Sequence, residues 1–217
     1  MIASVNGINL YYEIRGHGRP LILLHGNGED HSIFNEAADV LSKSFTCYLV
    51  DSRGHGKSTP VKEYHYADMA DDMIAFMEDL DLNDTVFYGF SDGGIIGILA
   101  SMKTDRITDL ITSGANLTPE GVDDKLRLLI RAMYFFIRDG KLKLMLEEPH
   151  ITKEDLSKIK TRTLVLAGSK DVVKKSETVQ IAEGIPNAAM QILDGEGHGS
   201  YIVHSRKIAD LISGWLT

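Results

Sequence analysis

The chain of 217 residues contains one cysteine, Cys47, so no internal disulfide can brace it. Cys47 sits in the apolar run FTCYLV, where a free thiol is expected to pack as a small buried hydrophobe in a reducing compartment. No apolar stretch approaches the ~20 residues that cross a bilayer. The opening MIASVNGINLYYEI has no basic segment followed by an apolar one, so no secretory signal is expected. Positive charge is in deficit: the formal net charge of −8 argues against a surface built to neutralise nucleic-acid phosphates. Internal repeats and low-complexity tracts are absent. The histidines and the lone cysteine form no metal-ligand spacing, and no nucleotide-binding glycine fingerprint occurs. The expectation is a cytoplasmic protein without nucleic-acid, membrane, metal or cofactor partners.

What is present is ordinary in bulk, with 43% hydrophobic and 25% charged residues, and the length suits one domain with a modest insertion. Asn6-Gly7 marks a hairpin turn. LILL (Leu21 to Leu24) and TCYLVD ending at Asp51 read as buried strands, and TVFYGF, ITDLITSG, RTLVLAGSKD and the stretch from Ala189 to Leu193 as further strands. Helices are predicted over His31 to Ser42, Tyr66 to Leu80, Gly94 to Met102, Ser176 to Gly184 and Tyr201 to Leu216. Met69, Met73, Phe76, Met77 and Leu80 share one face of the second of these, a core stripe. Strand–helix alternation predicts a doubly wound α/β fold, a mostly parallel sheet with helices on both faces. Residues 115–155 break the rhythm. They carry an amphipathic helix from Asp123 to Asp139 and short helical pieces, and are expected to form a reduced helical cap on a core of residues 1–114 and 156–217.

Ligands of a parallel α/β sheet bind beyond the carboxyl ends of its strands, so the loops there carry the information. Gly89-Phe90-Ser91-Asp92-Gly93 is G-x-S-x-G between a strand and a helix, a setting that lifts a serine hydroxyl clear of the sheet on a sharp turn. His25-Gly26-Asn27-Gly28 follows LILL. Its glycines allow the Asn27 N–H to point inward beside the Asp92 N–H, the pair of donors that an oxyanion requires. His25 itself is expected to shape that loop. Serine is a weak nucleophile without a base and an orienting acid. His198, in DGEGHGS, and Asp171, after LVLAGSK, both stand at strand ends and follow Ser91 in the chain order of this elbow type. Asp194 and Glu196 lie too close to His198 to approach its ring from another strand, although Glu196 stays open as an alternative acid.

Taken together, ILLHGNG, DSRGHGKS, GFSDGG, LAGSKD and GEGHGS resemble, in order and over nearly the whole chain, the motifs of the α/β-hydrolase family. The resemblance implies an eight-stranded, mostly parallel sheet, with Ser91 as nucleophile, Asp171 as acid, His198 as base, and Asn27 and Asp92 as oxyanion donors. DSRGHGKS is expected to fix a turn beside the site. Relatives often carry a proline after the acid, where this chain reads DVVKKS, and the short cap implies an open site or one closed by a second subunit of a homodimer.

The expected reaction is hydrolysis of a small ester, lactone or thioester through an acyl-enzyme, with water as co-substrate. Alternatives are an aminoacyl ester or amide hydrolase, because GFSDGG resembles the elbow of biphenyl-hydrolase-like enzymes, and a non-catalytic small-molecule receptor. Peracid formation and halogen release occur on related folds as side activities. In the aminoacyl case the Asp92 carboxylate is the candidate partner for a substrate ammonium. Leu126, Leu129, Ile130, Met133, Tyr134 and Phe136 either line an acyl pocket or pack the cap onto the core.

Overall fold

The computed structural model describes all residues from Met1 to Thr217. Eight strands form one sheet: β1 (Ile2–Val5), β2 (Ile8–Arg15), β3 (Arg19–Leu24), β4 (Phe45–Val50), β5 (Thr85–Phe90), β6 (Ile107–Ser113), β7 (Arg162–Lys170) and β8 (Ala188–Gly197), in the order β1-β2-β4-β3-β5-β6-β7-β8. β1 and β2 are antiparallel to their neighbours and the remaining strands run parallel. The hairpin turns on Asn6 and Gly7, both with positive φ, which suits the right-handed twist of the two strands.

The central strands are apolar throughout because both faces are covered, and successive residues feed opposite layers. Ile22, Leu24 and Phe87 pack with Met69, Met73, Phe76 and Met77 of α2 (Tyr66–Asp79) and with Ile95 and Ile98 of α3 (Asp92–Ser101). Leu21, Leu23, Val86 and Tyr88 face the other way, onto Ala37, Ala38 and Leu41 of α1 (Asn35–Leu41) and Ile208, Ala209 and Ile212 of the C-terminal helix (Lys207–Leu216). The methionine stripe is therefore core. Cys47 is fully buried in this second layer, and burial pushes its thiol pKa up to about 12, leaving it a packing residue.

Between β6 and β7 lie a 3₁₀ turn and three helices, α4 (Asp124–Ile137), α5 (Gly140–Glu147) and α6 (Lys153–Leu156). α7 (Lys175–Gly184) and α8, the C-terminal helix, complete the chain. Two differences from the sequence reading matter. The final helix begins at Lys207. Residues Tyr201 to His204 instead form turns, with His204 at φ 49° and its N–H donated to the Ile33 carbonyl, so His204 is not helical. The apolar face of α4 also divides in an unexpected way. Ile130 is buried, but Leu129, Met133 and Phe136 are exposed, Phe136 by 81%, so these three do not pack on the core, and none lines the cleft over Ser91.

Candidate active site

Topology brings the informative loops together. β3 and β5 are neighbours with Leu24 opposite Gly89, so the loops that follow them leave the sheet side by side. At the other edge a register irregularity in β7 between Gly168 and Lys170 sets Lys170 opposite Gly197. The next residue on each strand is Asp171 on one and His198 on the other, so strand pairing itself presents the acid to the imidazole. The sequence reading ended β8 at Leu193 and could not contain this extension, because the segment Asp194 to Gly197 has loop composition.

Ser91 occupies the turn from β5 into α3 at φ 52°, ψ −114°, a conformation unfavourable for any residue with a side chain. Close packing makes room for it. A Cβ on Gly93 would lie 2.2 Å from the Leu24 carbonyl oxygen, and one on Gly89 would lie 2.1 Å from that of Gly93. The turn is held by the Ser91 N–H on the Ser113 carbonyl at 2.8 Å and by the Gly94 N–H on the Ser91 carbonyl at 2.9 Å.

Ser91 Oγ is 3.1 Å from His198 Nε2, and His198 Nδ1 is 2.7 Å from Asp171 Oδ1. The carboxylate as acceptor fixes the proton on Nδ1 and leaves Nε2 free to accept from the serine. Asp171 Oδ1 also accepts the Val173 N–H at 2.9 Å, while its Oδ2 is buried without a partner. Phe90 packs against the imidazole, ring centres 4.9 Å apart. Glu196 is engaged elsewhere, by the Ser200 hydroxyl at 2.5 Å and by Lys207, and Asp194 accepts from Ser169, so Asp171 is the acid that meets His198.

The Asn27 N–H has no intramolecular acceptor, and Asp92 opens α3, where an N–H precedes the intrahelical ladder. The two side chains are tied: Asn27 Nδ2 donates to Asp92 Oδ2 at 2.9 Å, and the Tyr66 hydroxyl donates to Oδ1 at 2.8 Å. Burial raises the pKa of Asp92, and these two donors oppose the rise. His25 behaves as a loop shaper. Its Nδ1 bonds the Gly26 carbonyl at 2.7 Å, its Nε2 accepts the Ser52 N–H at 3.1 Å, and burial lowers its pKa. In DSRGHGKS, Asp51 accepts the N–H groups of His31 and Lys57 and meets the His31 ring at 2.7 Å, while Arg53 clamps Asp72 with bonds of 2.6 and 2.7 Å.

A cleft opens over Ser91. Asn27, Asp92 and His198 line it, and Leu126 and Met145 reach it from α4 and α5. Its walls also include Glu29, Tyr66 and Glu148, none of which the sequence analysis singled out. Glu29 had a local signal, since it lies two residues beyond Asn27 in the same loop. Tyr66 and Glu148 had none, because each joins the site from a different part of the chain.

A family model described as the alpha/beta hydrolase fold matches residues 19–137. The chain belongs to the α/β-hydrolase family. Among α/β-hydrolase relatives, the AB hydrolase superfamily protein YisY of Bacillus subtilis is 30% identical over 259 aligned positions, covering 98% of this chain and 97% of YisY. A bromoperoxidase from Bacillus anthracis superposes with a TM-score of 0.87 at 22% identity, covering 100% of this chain and 99% of that one. An esterase from Exiguobacterium antarcticum gives a TM-score of 0.86 at 22% identity over 99% of this chain and 98% of that one. The eight-stranded, mostly parallel architecture expected of an α/β-hydrolase is the one found.

Proposed function

We propose that this α/β-hydrolase is a serine hydrolase that cleaves small carboxylic esters, lactones or thioesters through an acyl-enzyme. The single observation that carries the reading is the continuous chain from Ser91 Oγ through the His198 imidazole to the Asp171 carboxylate, 3.1 and 2.7 Å in its two steps. His198 Nε2 takes the Ser91 proton as the serine oxygen bonds to the carbonyl carbon. The carbonyl π electrons move onto oxygen, and the N–H groups of Asn27 and Asp92 donate hydrogen bonds to the oxyanion. The protonated imidazole, steadied by Asp171, gives its proton to the departing alcohol as the ester C–O bond breaks. Water then repeats the sequence on the acyl-serine, releasing the acid and restoring the Ser91 hydroxyl. Residues 115–155 serve as the small cap, with Leu126 and Met145 supplying apolar contacts for the substrate.

The test is turnover of p-nitrophenyl acetate together with labelling by a fluorophosphonate. Wild type is expected to hydrolyse the ester and to carry the label on Ser91. Ser91→Ala should lose both, with a fall in kcat of about 10⁴-fold or more. Wild-type protein that binds small esters without turning them over would instead make the chain a receptor.

A further inference from the structure

Three carboxylates, Glu29, Asp92 and Glu148, line the cleft over Ser91, and no lysine or arginine does. Their oxygens are not equivalent. Asp92 is fully committed, Oδ1 to the Tyr66 hydroxyl and Oδ2 to Asn27 Nδ2. Glu148 is committed as well, Oε1 to His65 Nδ1 at 2.6 Å and Oε2 to the Tyr66 N–H at 3.0 Å. Glu29 places Oε2 on the Gly26 N–H at 3.0 Å, and its Oε1 makes no hydrogen bond. Of the six carboxylate oxygens around the cleft, Glu29 Oε1 alone lacks a protein donor.

The Glu29 carboxylate stands close to the reacting centre. A methyl group on Gly26 would lie 2.9 Å from Glu29 Oε2 and 3.0 Å from Ser91 Cβ, so carboxylate and serine border the same small space. Partial burial and the nearby Asp92 and Asp30 raise the pKa of Glu29, while the Gly26 N–H and His198 lower it. A partly desolvated anion with an unfilled acceptor gains more from a cation than a solvated one does. The Gly26 bond also fixes where the carboxylate sits.

We propose that Glu29 is the specificity residue of the cleft: its free oxygen receives a substrate ammonium on the carbon next to the scissile carbonyl, making α-amino acid esters the preferred substrates and carboxylate-bearing esters the poorest. The inference rests on the hydrolytic reading above. It moves the recognition of an amine from Asp92, whose oxygens already have donors, to a residue four positions after His25. An anionic acyl group would meet three carboxylates with no compensating cation. An α-ammonium would complete the one open acceptor without displacing a protein bond.

The experiment compares the methyl esters of alanine and lactic acid, which differ by an ammonium for a hydroxyl, with monomethyl succinate, by acid release in a pH-stat at pH 7. In wild type, kcat/KM corrected for the hydroxide-catalysed rate of each ester should favour alanine over lactate by about tenfold or more, with succinate the slowest. In Glu29→Gln, whose amide oxygen can still accept the Gly26 N–H, the alanine-to-lactate ratio should fall about tenfold. The wild-type comparison needs no variant to fold. A corrected wild-type ratio near one, or a ratio unchanged by Glu29→Gln, overturns the inference while turnover of the lactate ester leaves the hydrolytic reading standing. Absence of turnover for all three esters and for p-nitrophenyl acetate overturns both.

Discussion

The Asn27 side chain donates to the Asp92 carboxylate across 2.9 Å, joining the loop after β3 to the first residue of α3. These are the residues whose backbone N–H groups are proposed to receive the developing oxyanion. A side-chain tie between them sets the spacing of two donors that sequence places far apart. The acid after the nucleophile is therefore a brace for the proposed oxyanion site, with Tyr66 holding its other oxygen.

Asp92→Asn keeps the size of the side chain but offers a single acceptor oxygen to the two donors Asn27 and Tyr66. One donor is left unmet in a buried place, and the loop loses its fixed spacing. The expected result is a fall in kcat of roughly tenfold, smaller than the ~10²–10³ lost with an oxyanion donor itself, and little change in KM. Steady-state kinetics on p-nitrophenyl acetate decide it; a KM effect alone would argue against the brace.

Gly114, at φ +64°, lies beneath the imidazole: a methyl there would stand 2.7 Å from His198 Cε1 and 2.8 Å from Nδ1. Gly114→Ala should displace the ring from Ser91 and lower kcat about 10²-fold, since misplacement by an ångström costs that order. Circular dichroism separates this from unfolding. A folded variant with kcat within twofold of wild type would contradict the geometry.

Burial, with the neighbouring His25, lowers the pKa of His55 from 6.5 to about 4. The unfolded chain therefore binds the proton more readily than the folded one. Stability should be complete above pH 6.5 and fall as pH drops towards about 4, by up to ~3 kcal/mol from this group. His25, also lowered by burial, acts in the same direction. Urea midpoints measured between pH 7 and 4.5 should decline less steeply in His55→Gln than in wild type; equal slopes would refute the assignment.

Arg53 holds the buried Asp72 through two parallel bonds, Nε to Oδ2 at 2.6 Å and Nη2 to Oδ1 at 2.7 Å. Arg53→Met strands a buried carboxylate that only Asn6 Nδ2 then contacts among the side chains bonded to it. The expected loss is about 3–5 kcal/mol by chemical denaturation, with Arg53→Lys recovering part of it, because an ammonium cannot reproduce the fork. A loss below about 1 kcal/mol would show that the pair is dispensable.

Much of the molecule was legible along the chain. The apolar runs LILL and TVFYGF, the stripe from Met69 to Met77 and the G-x-S-x-G turn are local patterns, and periodicity reads local patterns directly. They carried the α/β class, the order of the strands along the chain and the choice of Ser91; His198 and Asp171 were expected from their places at strand ends, their chain order and the family resemblance. Local pattern could not decide where β8 ends, because Asp194 to Gly197 becomes strand only through pairing with β7. It could not decide that Leu129, Met133 and Phe136 face solvent, since an amphipathic stripe does not say what lies opposite it. Nor could it distinguish Asp92 from Glu29. Both are acids beside the same serine, and which oxygen is filled depends on Tyr66, Asn27 and Gly26, which meet them only once the sheet has brought separate loops to one edge.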